Sequence, residues 1–278
     1  MEQIMNEKKI LESIDSPFVL RLFGTCQTRD DLFFITEAIE HGDLYSAIYI
    51  YKRLSHITCV FYSACIILGL EYIHNKGIVF RDLKPENIMI DSFGYPRIID
   101  FGLAKQLPLC KSGGYEKTHT MCGTPEYLAP ELIFTEGYNH LIDLWSLGVI
   151  MYEMIARRTP FVGLNNSDIT QLFINITLSR KNGISLSQKI DKMTDGTTNA
   201  RGIITQLLDG LPSNRLGKKK TTIGLIEHRY FSIVCADELI TRTFTAPCMQ
   251  PEYYGEDLTD AFANQKQYTG NQDIFEGF

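Results

Sequence analysis

An eight-residue stretch, 80–87, carries the side chains of this sequence that are best suited to chemistry. It reads Phe-Arg-Asp-Leu-Lys-Pro-Glu-Asn, so the carboxylate of Asp82, the ammonium of Lys84 and the amide of Asn87 fall within six residues, and Pro85 restricts the backbone between them. A carboxylate can orient a hydroxyl, a cation can stabilise a phosphate, and an amide oxygen can bind a divalent metal. The combination indicates phosphoryl transfer.

Two further motifs follow this stretch in a fixed order. Asp100-Phe101-Gly102 comes after an apolar pair and would place a second metal-binding carboxylate at the end of a strand, and Ala129-Pro130-Glu131 lies further along the chain. Together with Asp-x-x-x-x-Asn at 82–87, these motifs match the signature set of the protein kinases. An ordered set is much more specific than any one of its members.

Composition limits the class of protein. The chain has 278 residues, 44% of them hydrophobic and 22% charged, enough for one large domain or two lobes. A net charge of −6 argues against nucleic acid or an anionic membrane as the main partner and suits a basic substrate. Seven cysteines without a Cys-x-x-Cys pair indicate reduced thiols and a cytoplasmic protein. The first residues are charged and do not resemble a secretory signal peptide. The most apolar run, 57–70, is shorter than the ~20 residues of a membrane span.

Hydrophobic periodicity and turn residues predict a mostly helical chain. Helices are predicted over residues 1–14, 43–51, 58–76, 140–157, 167–179, 200–208 and 222–228, and strands over 18–23, 32–36 and 88–90. The polar segment 103–128 is predicted to be a long functional loop. No strong periodicity is seen from residue 233 onward. Asp143 is predicted to bind backbone amides of the 80–87 loop.

Several segments carry a closer resemblance. Residues 77–82 (Gly-Ile-Val-Phe-Arg-Asp) and 118–123 (Thr-His-Thr-Met-Cys-Gly), with the stretches 80–87 and 120–127, resemble the AGC group of Ser/Thr protein kinases. Within that group the chain looks most like the cyclic-nucleotide-dependent kinases, cGMP-dependent ahead of cAMP-dependent. The resemblance covers nearly the whole chain.

This resemblance implies an α+β, protein-kinase-like fold in three parts. A truncated small-lobe remnant with one helix and two strands would occupy residues 1–37. A mostly helical large lobe would occupy 38–232, and an AGC-type C-terminal tail would occupy 233–278. Phe275 and Phe278 are similar to the hydrophobic motif that closes such a tail.

The resemblance also implies ATP and Mg²⁺ as cofactors and assigns catalytic roles. Asp82 would accept or orient the proton of the substrate hydroxyl, and Lys84 would neutralise charge on the transferring phosphate. Asn87 and Asp100 would hold magnesium. The residues expected at the nucleotide are Glu37, Ala38 and Ile39 at the hinge, Thr36 at the gatekeeper position, and Asp43, Glu86, Asn87, Met89 and Asp100.

Substrate recognition and regulation are implied in the same way. Basic protein substrates are expected, with arginines read by Asp43, Glu86 and Glu153, and with Met121, Pro125 and Leu128 lining the pocket for the residue after the target. For Glu153 a buried structural role is an equal alternative, because its helix is mostly apolar. Thr120 matches an activation-loop phosphosite, modified by an activating kinase, whose phosphate Arg81 and Lys105 would hold. Glu131 is expected to pair with Arg215.

One departure from the family leaves alternatives open. Glu7 matches the helix glutamate that pairs with a strand lysine, yet neither a Gly-rich loop nor that lysine strand precedes it in this sequence. The chain is then a fragment of an active kinase, a natural pseudokinase that acts as a non-catalytic binding module, or a chain whose small lobe a second polypeptide completes. The predicted function is Ser/Thr kinase activity toward basic proteins, with the chain as a fragment of a cGMP-dependent-type kinase, and the binding module is the alternative.

Overall fold

The structure, a computed structural model, describes residues 2–29, 31–50, 54–110, 115–163, 168–192, 200–218 and 222–247 of the chain. Most of the predicted C-terminal tail, including Phe275 and Phe278, lies outside these residues. Within them the architecture is α+β. A small N-terminal part of one helix and one strand pair precedes a larger, mostly helical part.

The N-terminal part contains helix α1 (Glu2–Ser13) and the antiparallel strands β1 (Leu22–Gln27) and β2 (Leu32–Thr36). The helix and the second strand lie where the sequence predicts them. Both strands keep only partial burial, so this two-stranded sheet has little core of its own.

Residues 18–20, predicted to begin the first strand, instead join the N-terminal part to the rest of the protein. Ile98 N donates to the Phe18 carbonyl at 2.9 Å, and Leu20 N donates to the Ile98 carbonyl at 2.9 Å. The apolar side chains at the start of this segment are almost completely buried. The first strand of this pair therefore begins later than predicted, at Leu22 rather than at residue 18, because the side chains of 18–20 serve this contact.

The larger part holds most of the regular structure. Its helices are α2 (Leu44–Tyr49), α3 (His56–Asn75), α4 (Pro130–Ile133), α5 (Leu141–Ala156), α6 (Ile169–Asn182), α7 (Lys189–Lys192), α8 (Ala200–Leu207) and α9 (Ala236–Ile240). Its strands form two antiparallel pairs, β3 (Ile78–Val79) with β6 (Lys105–Gln106) and β4 (Ile88–Ile90) with β5 (Pro96–Ile98). The helix predicted over 222–228 is wrong, since only one short 3₁₀ turn forms there, at Ile223–Leu225, and a second follows at Arg229–Phe231.

Helices α3 and α5 form the centre of the larger part. Ser55 caps α3 by accepting a hydrogen bond from Thr58 N at 3.2 Å, and Gly77, with a φ of +73°, follows its end. All 16 residues of α5 are buried. Gly148 lets α8 approach α5, because a Cβ there would lie 2.9 Å from the Cβ of Leu207. A helix that is apolar on every side must be buried in this way.

Among the described residues, α3 is also the one helix whose length and composition would suffice to cross a membrane. The most apolar stretch of α3 is 78% buried inside the protein. A buried core helix passes the same test, so this feature is weak evidence for a span.

A buried ion pair joins α4 to the segment after α8. The Arg215 guanidinium donates to both carboxylate oxygens of Glu131, at 2.6 and 2.9 Å, and to the Leu141 carbonyl at 2.9 Å. It also lies 5.1 Å from the ring of Trp145. The predicted pairing of Glu131 with Arg215 is confirmed, and it fixes the loop before α5 against the helical core.

Candidate active site

The buried carboxylate of Asp143 holds the start of the 80–87 loop. Its Oδ2 accepts from Phe80 N at 2.9 Å and its Oδ1 accepts from Arg81 N at 2.9 Å, while His74 Nε2 lies 2.8 Å from Oδ2. Asp143 is only 1% exposed and belongs to the first turn of α5. The predicted contact with backbone amides is confirmed.

Arg81 has the left-handed backbone conformation, with a φ of +73°. Residues other than glycine rarely adopt this conformation, so surrounding contacts must hold it. Arg81 Nε donates to the Leu103 carbonyl at 2.6 Å and Nη1 donates to the Tyr138 hydroxyl at 3.4 Å. Together with the bonds to Asp143, these contacts turn the chain so that Asp82 follows in a defined position.

Four polar groups converge on the side chain of Asp82. Its Oδ1 accepts from Thr124 N at 2.9 Å and from Thr124 Oγ1 at 2.7 Å. Its Oδ2 accepts from Lys84 Nζ at 3.0 Å and from Asn87 Nδ2 at 3.2 Å. The carboxylate is 9% exposed, so it is held by hydrogen bonds and one cation rather than by solvent.

The two predicted metal-binding residues lie on neighbouring segments. Asn87 donates its Nδ2 to Asp82, so the amide oxygen is the atom of its side chain that can meet a cation, and its backbone carbonyl accepts from Ile99 N at 2.9 Å. Asp100, the residue after Ile99, is exposed. Its φ is +62°, and Gly102 N donates to its Oδ1 at 3.2 Å.

Helix α1 contacts the segment that carries Asp100. Gln3 Nε2 donates to the Gly102 carbonyl at 3.0 Å, and Asn6 Nδ2 donates to the Ala104 carbonyl at 2.8 Å. Burial and the nearby charge of Asp100 raise the pKa of Glu7 above its ordinary value. The helix glutamate identified in the sequence thus faces the predicted metal site.

The predicted nucleotide hinge crosses from β2 to α2. Glu37 Oε1 accepts from Arg97 Nη1 at 2.7 Å, whereas Ala38 is exposed and Ile39 is half-buried. Asp43 caps α2 by accepting from Ser46 N at 2.7 Å.

Asp43 also forms a backbone bridge to Met89, which lies on β4. Thr36 Oγ1 donates to the Glu37 carbonyl at 3.3 Å. The hinge and the predicted floor of the adenine pocket are therefore adjacent.

The predicted substrate residues are not all accessible. Glu86 is exposed, whereas Glu153 is 2% exposed, with the hydroxyls of Tyr49 and Tyr127 donating to its two oxygens at 2.6 and 2.7 Å. Of the predicted pocket for the following residue, Met121 is exposed, Pro125 is half-buried and Leu128 is buried.

Thr120 and its predicted phosphate partners lie in one region without touching through their side chains. Thr120 is exposed, and its carbonyl accepts from the Tyr138 hydroxyl at 2.5 Å. Lys105 Nζ donates to the hydroxyl of Thr118, which is buried, at 3.0 Å. In this unmodified chain Lys105 therefore pairs with Thr118, and Arg81 reaches the Thr120 segment through Tyr138.

Sequence reasoning did not single out Thr124, Tyr138 or Tyr49 as functional residues. Thr124 follows Gly123 in the conspicuous run 123–126, and that run is the signal that could have found it. A Cβ on Gly123 would lie 2.6 Å from the Arg81 carbonyl, so only glycine permits this approach to the 80–87 loop. Tyr138 and Tyr49 carry no local signal, because only the tertiary fold brings them to the site.

Comparison with known proteins agrees with this geometry. The protein kinase domain family matches residues 1–231. The chain is 34% identical to the cAMP-dependent protein kinase type 3 of Saccharomyces cerevisiae and 35% identical to the human cAMP-dependent protein kinase catalytic subunit PRKX. It is 34% identical to the human cGMP-dependent protein kinase 2.

These alignments cover 94%, 94% and 91% of this chain and 61%, 68% and 31% of the three relatives. Identities to the cAMP- and cGMP-dependent proteins are nearly equal, so the order between them stays a prediction. The match to the family covers most of the chain, and it includes Asp82 with its hydrogen-bond partners, Asp100, and Asp143 of α5. The chain therefore belongs to the protein kinase domain family, among AGC-group kinases similar to the cAMP- and cGMP-dependent protein kinases.

Proposed function

We propose that this protein transfers the γ-phosphoryl group of ATP to serine or threonine hydroxyls of basic protein substrates. The arrangement around Asp82 carries the proposal. A buried carboxylate held by Thr124, Lys84 and Asn87 is suited to orient a hydroxyl and take up its proton. Lys84, 22% exposed and next to that carboxylate, places a cation where negative charge on the phosphoryl group develops.

The available donors fit Mg²⁺ and ATP. Asp100 offers an exposed carboxylate and Asn87 an amide oxygen, and magnesium prefers such oxygen ligands. The described residues contain no group of three His, Cys, Asp or Glu side chains arranged for a metal, so phosphate and water would supply the other ligands. When bound, Mg²⁺ and ATP supply the transferable group and neutralise its charge.

Charge supports a basic substrate. The chain carries a net charge of −6, Glu86 is exposed beside the Asp82 cluster, and Asp43 is half-buried near the hinge. These carboxylates would attract arginine side chains to the substrate groove. We place the protein in the cytoplasm, since the six cysteines among the described residues are all free thiols.

A non-catalytic binding module is the alternative function. Turnover separates the two functions, because a binding module would bind partners without transferring phosphate.

The first prediction concerns catalysis. In the protein expressed from its own gene, Asp82→Asn is expected to lower kcat at least about 100-fold with little change in KM for ATP, because it removes a group needed in the transition state. The measurement is transfer of labelled γ-phosphate to a serine peptide with arginines before the target. Asp191→Asn, which changes an exposed aspartate paired with Arg201, is the matched control.

Three outcomes would count against this account. Near-normal turnover of Asp82→Asn would remove Asp82 from the mechanism. If a peptide whose arginines are replaced by alanine reacted as fast as the arginine-containing peptide, the proposed preference for basic substrates would be excluded. An active site that transfers no phosphate in the unaltered protein would favour the binding module.

The second prediction concerns Thr120, which we propose is phosphorylated by an activating kinase. A phosphate there adds roughly −1.5 to −2 charges within a loop that already meets Arg81 through Tyr138. Thr120→Ala and Arg81→Ala are each expected to lower turnover strongly, and the double variant to be little worse, because both break one interaction. Thr177→Ala, which changes a half-buried threonine on α6, is the control, and additive losses would exclude the shared role.

The third prediction concerns Glu153. Burial raises its pKa to about 7, and nearby Glu86 and Glu126 act in the same direction, although the hydrogen bonds from Tyr49 and Tyr127 oppose the rise. The folded protein therefore keeps a proton that the unfolded chain releases above about pH 4.5. The resulting stabilisation is complete below that pH and is lost as the pH rises through about 7.

The free energy of unfolding of Glu153→Gln is accordingly expected to increase relative to that of the unaltered protein as the pH rises from 4.5 to 7. The expected increase is about 1–3 kcal/mol. Urea unfolding across that pH range measures it. Glu136→Gln, which changes a half-exposed carboxylate, serves as the surface control. A pH-independent difference between Glu153→Gln and the unaltered protein would show that Glu153 is ionised throughout.

A further inference from the structure

The segment after α9 is fixed to the larger part by aromatic and polar contacts. The ring of Phe244 stacks on Phe61 of α3, with centroids 5.6 Å apart. The Tyr95 hydroxyl donates to the Phe244 carbonyl at 2.6 Å. The Arg242 guanidinium lies 4.5 Å from the ring of Tyr95 and 5.3 Å from that of Phe93. Residues 236–244, here called the clamp, thus pack in an ordered way on the β4–β5 turn. The sequence shows no strong periodicity over these residues.

Arg242 makes its ionic contact with Asp91 at the start of that turn. Its Nη2 donates to Asp91 Oδ2, and the same oxygen accepts from Arg97 Nε at 3.1 Å. The other oxygen of Asp91 accepts from Phe93 N at 2.9 Å and from Tyr95 N at 3.1 Å. The Asp91 side chain is 8% exposed, so both guanidinium groups meet a largely buried acceptor.

Arg97 continues the series to the hinge. While its Nε binds Asp91, its Nη1 donates to Glu37 Oε1 at 2.7 Å. That oxygen also accepts from Arg21 N at 2.8 Å, and Glu37 N donates to the Arg21 carbonyl at 3.1 Å. Arg97 is 12% exposed and Glu37 18%, so little solvent separates the charges. On the strand pair, Arg97 lies opposite Met89.

We propose that Arg97 and Arg242 are positioning residues for the nucleotide site. Through the series Arg242–Asp91–Arg97–Glu37, the two arginines fix the hinge backbone at 37–39 relative to the clamp without themselves contacting the nucleotide. Partly buried charge-assisted bonds strengthen one another, so loss of either arginine loosens the hinge. The proposal rests on the proposed function, since it concerns the ATP site of that kinase.

The test uses the full protein and two readouts. Hydrogen exchange of hinge amides in residues 36–43 reports hinge order without any nucleotide, and ATP titration reports affinity. Arg97→Gln is expected to speed exchange of these amides and to weaken ATP binding about fivefold or more, with kcat nearly unchanged. Arg242→Gln is expected to act in the same direction, and the double variant to be little worse than Arg97→Gln because both act through Asp91. Arg97→Lys, which keeps the charge but not the two-ended fork, is expected to rescue the effect in part.

Arg180→Gln is the matched control, because Arg180 also pairs with a carboxylate, that of Glu136, and lies over an aromatic ring, that of Phe134, away from the hinge. Unchanged hinge exchange in Arg97→Gln and Arg242→Gln, even with lower melting temperatures, would overturn the proposal and leave a purely structural network. Faster hinge exchange with unchanged ATP affinity would overturn it equally. Failure of the unaltered protein to bind ATP would instead overturn the proposed function, while the exchange readout would still decide whether the clamp and hinge are coupled.

Discussion

The site depends on the hydrogen bonds that the carboxylate of Asp143 makes with the backbone of the 80–87 loop. This carboxylate is buried at the start of a wholly buried helix and accepts from two successive backbone amides and one imidazole. An unpaired buried charge is costly, so Asp143 must keep its hydrogen bonds to Phe80 N and Arg81 N. The loop that carries Asp82 is therefore fixed to α5. The left-handed backbone of Arg81 persists for the same reason.

Contacts from distant parts of the chain meet around this anchored loop. Helix α1 binds the segment of Asp100 through Gln3 and Asn6, and Thr124 binds Asp82 from the segment before α4. The C-terminal clamp reaches the hinge through Arg97. The joint effect of these contacts is to hold Asp82, Lys84, Asn87 and Asp100 close together, as the proposed phosphoryl transfer requires.

Patterns of local origin were predictable from the sequence. Helical periodicity located α1, α3 and α5, and the order of the motifs located Asp82, Lys84, Asn87 and Asp100. Tertiary effects were not predictable: the run at 18–20 reads as a strand but packs against Ile98, and the helix predicted over 222–228 forms only one 3₁₀ turn.

The site shows the same division. Asp143 could be identified because it stands near the start of an apolar helix, whereas the tyrosine hydroxyls on Glu153 and the clamp residues have no signal in local spacing. The most direct test of the account is kcat for Asp143→Asn in protein whose folded fraction is verified by unfolding at the assay temperature. The account predicts a fall in kcat similar to that of Asp82→Asn with little change in KM for ATP. Near-normal kcat in the folded variant would contradict it.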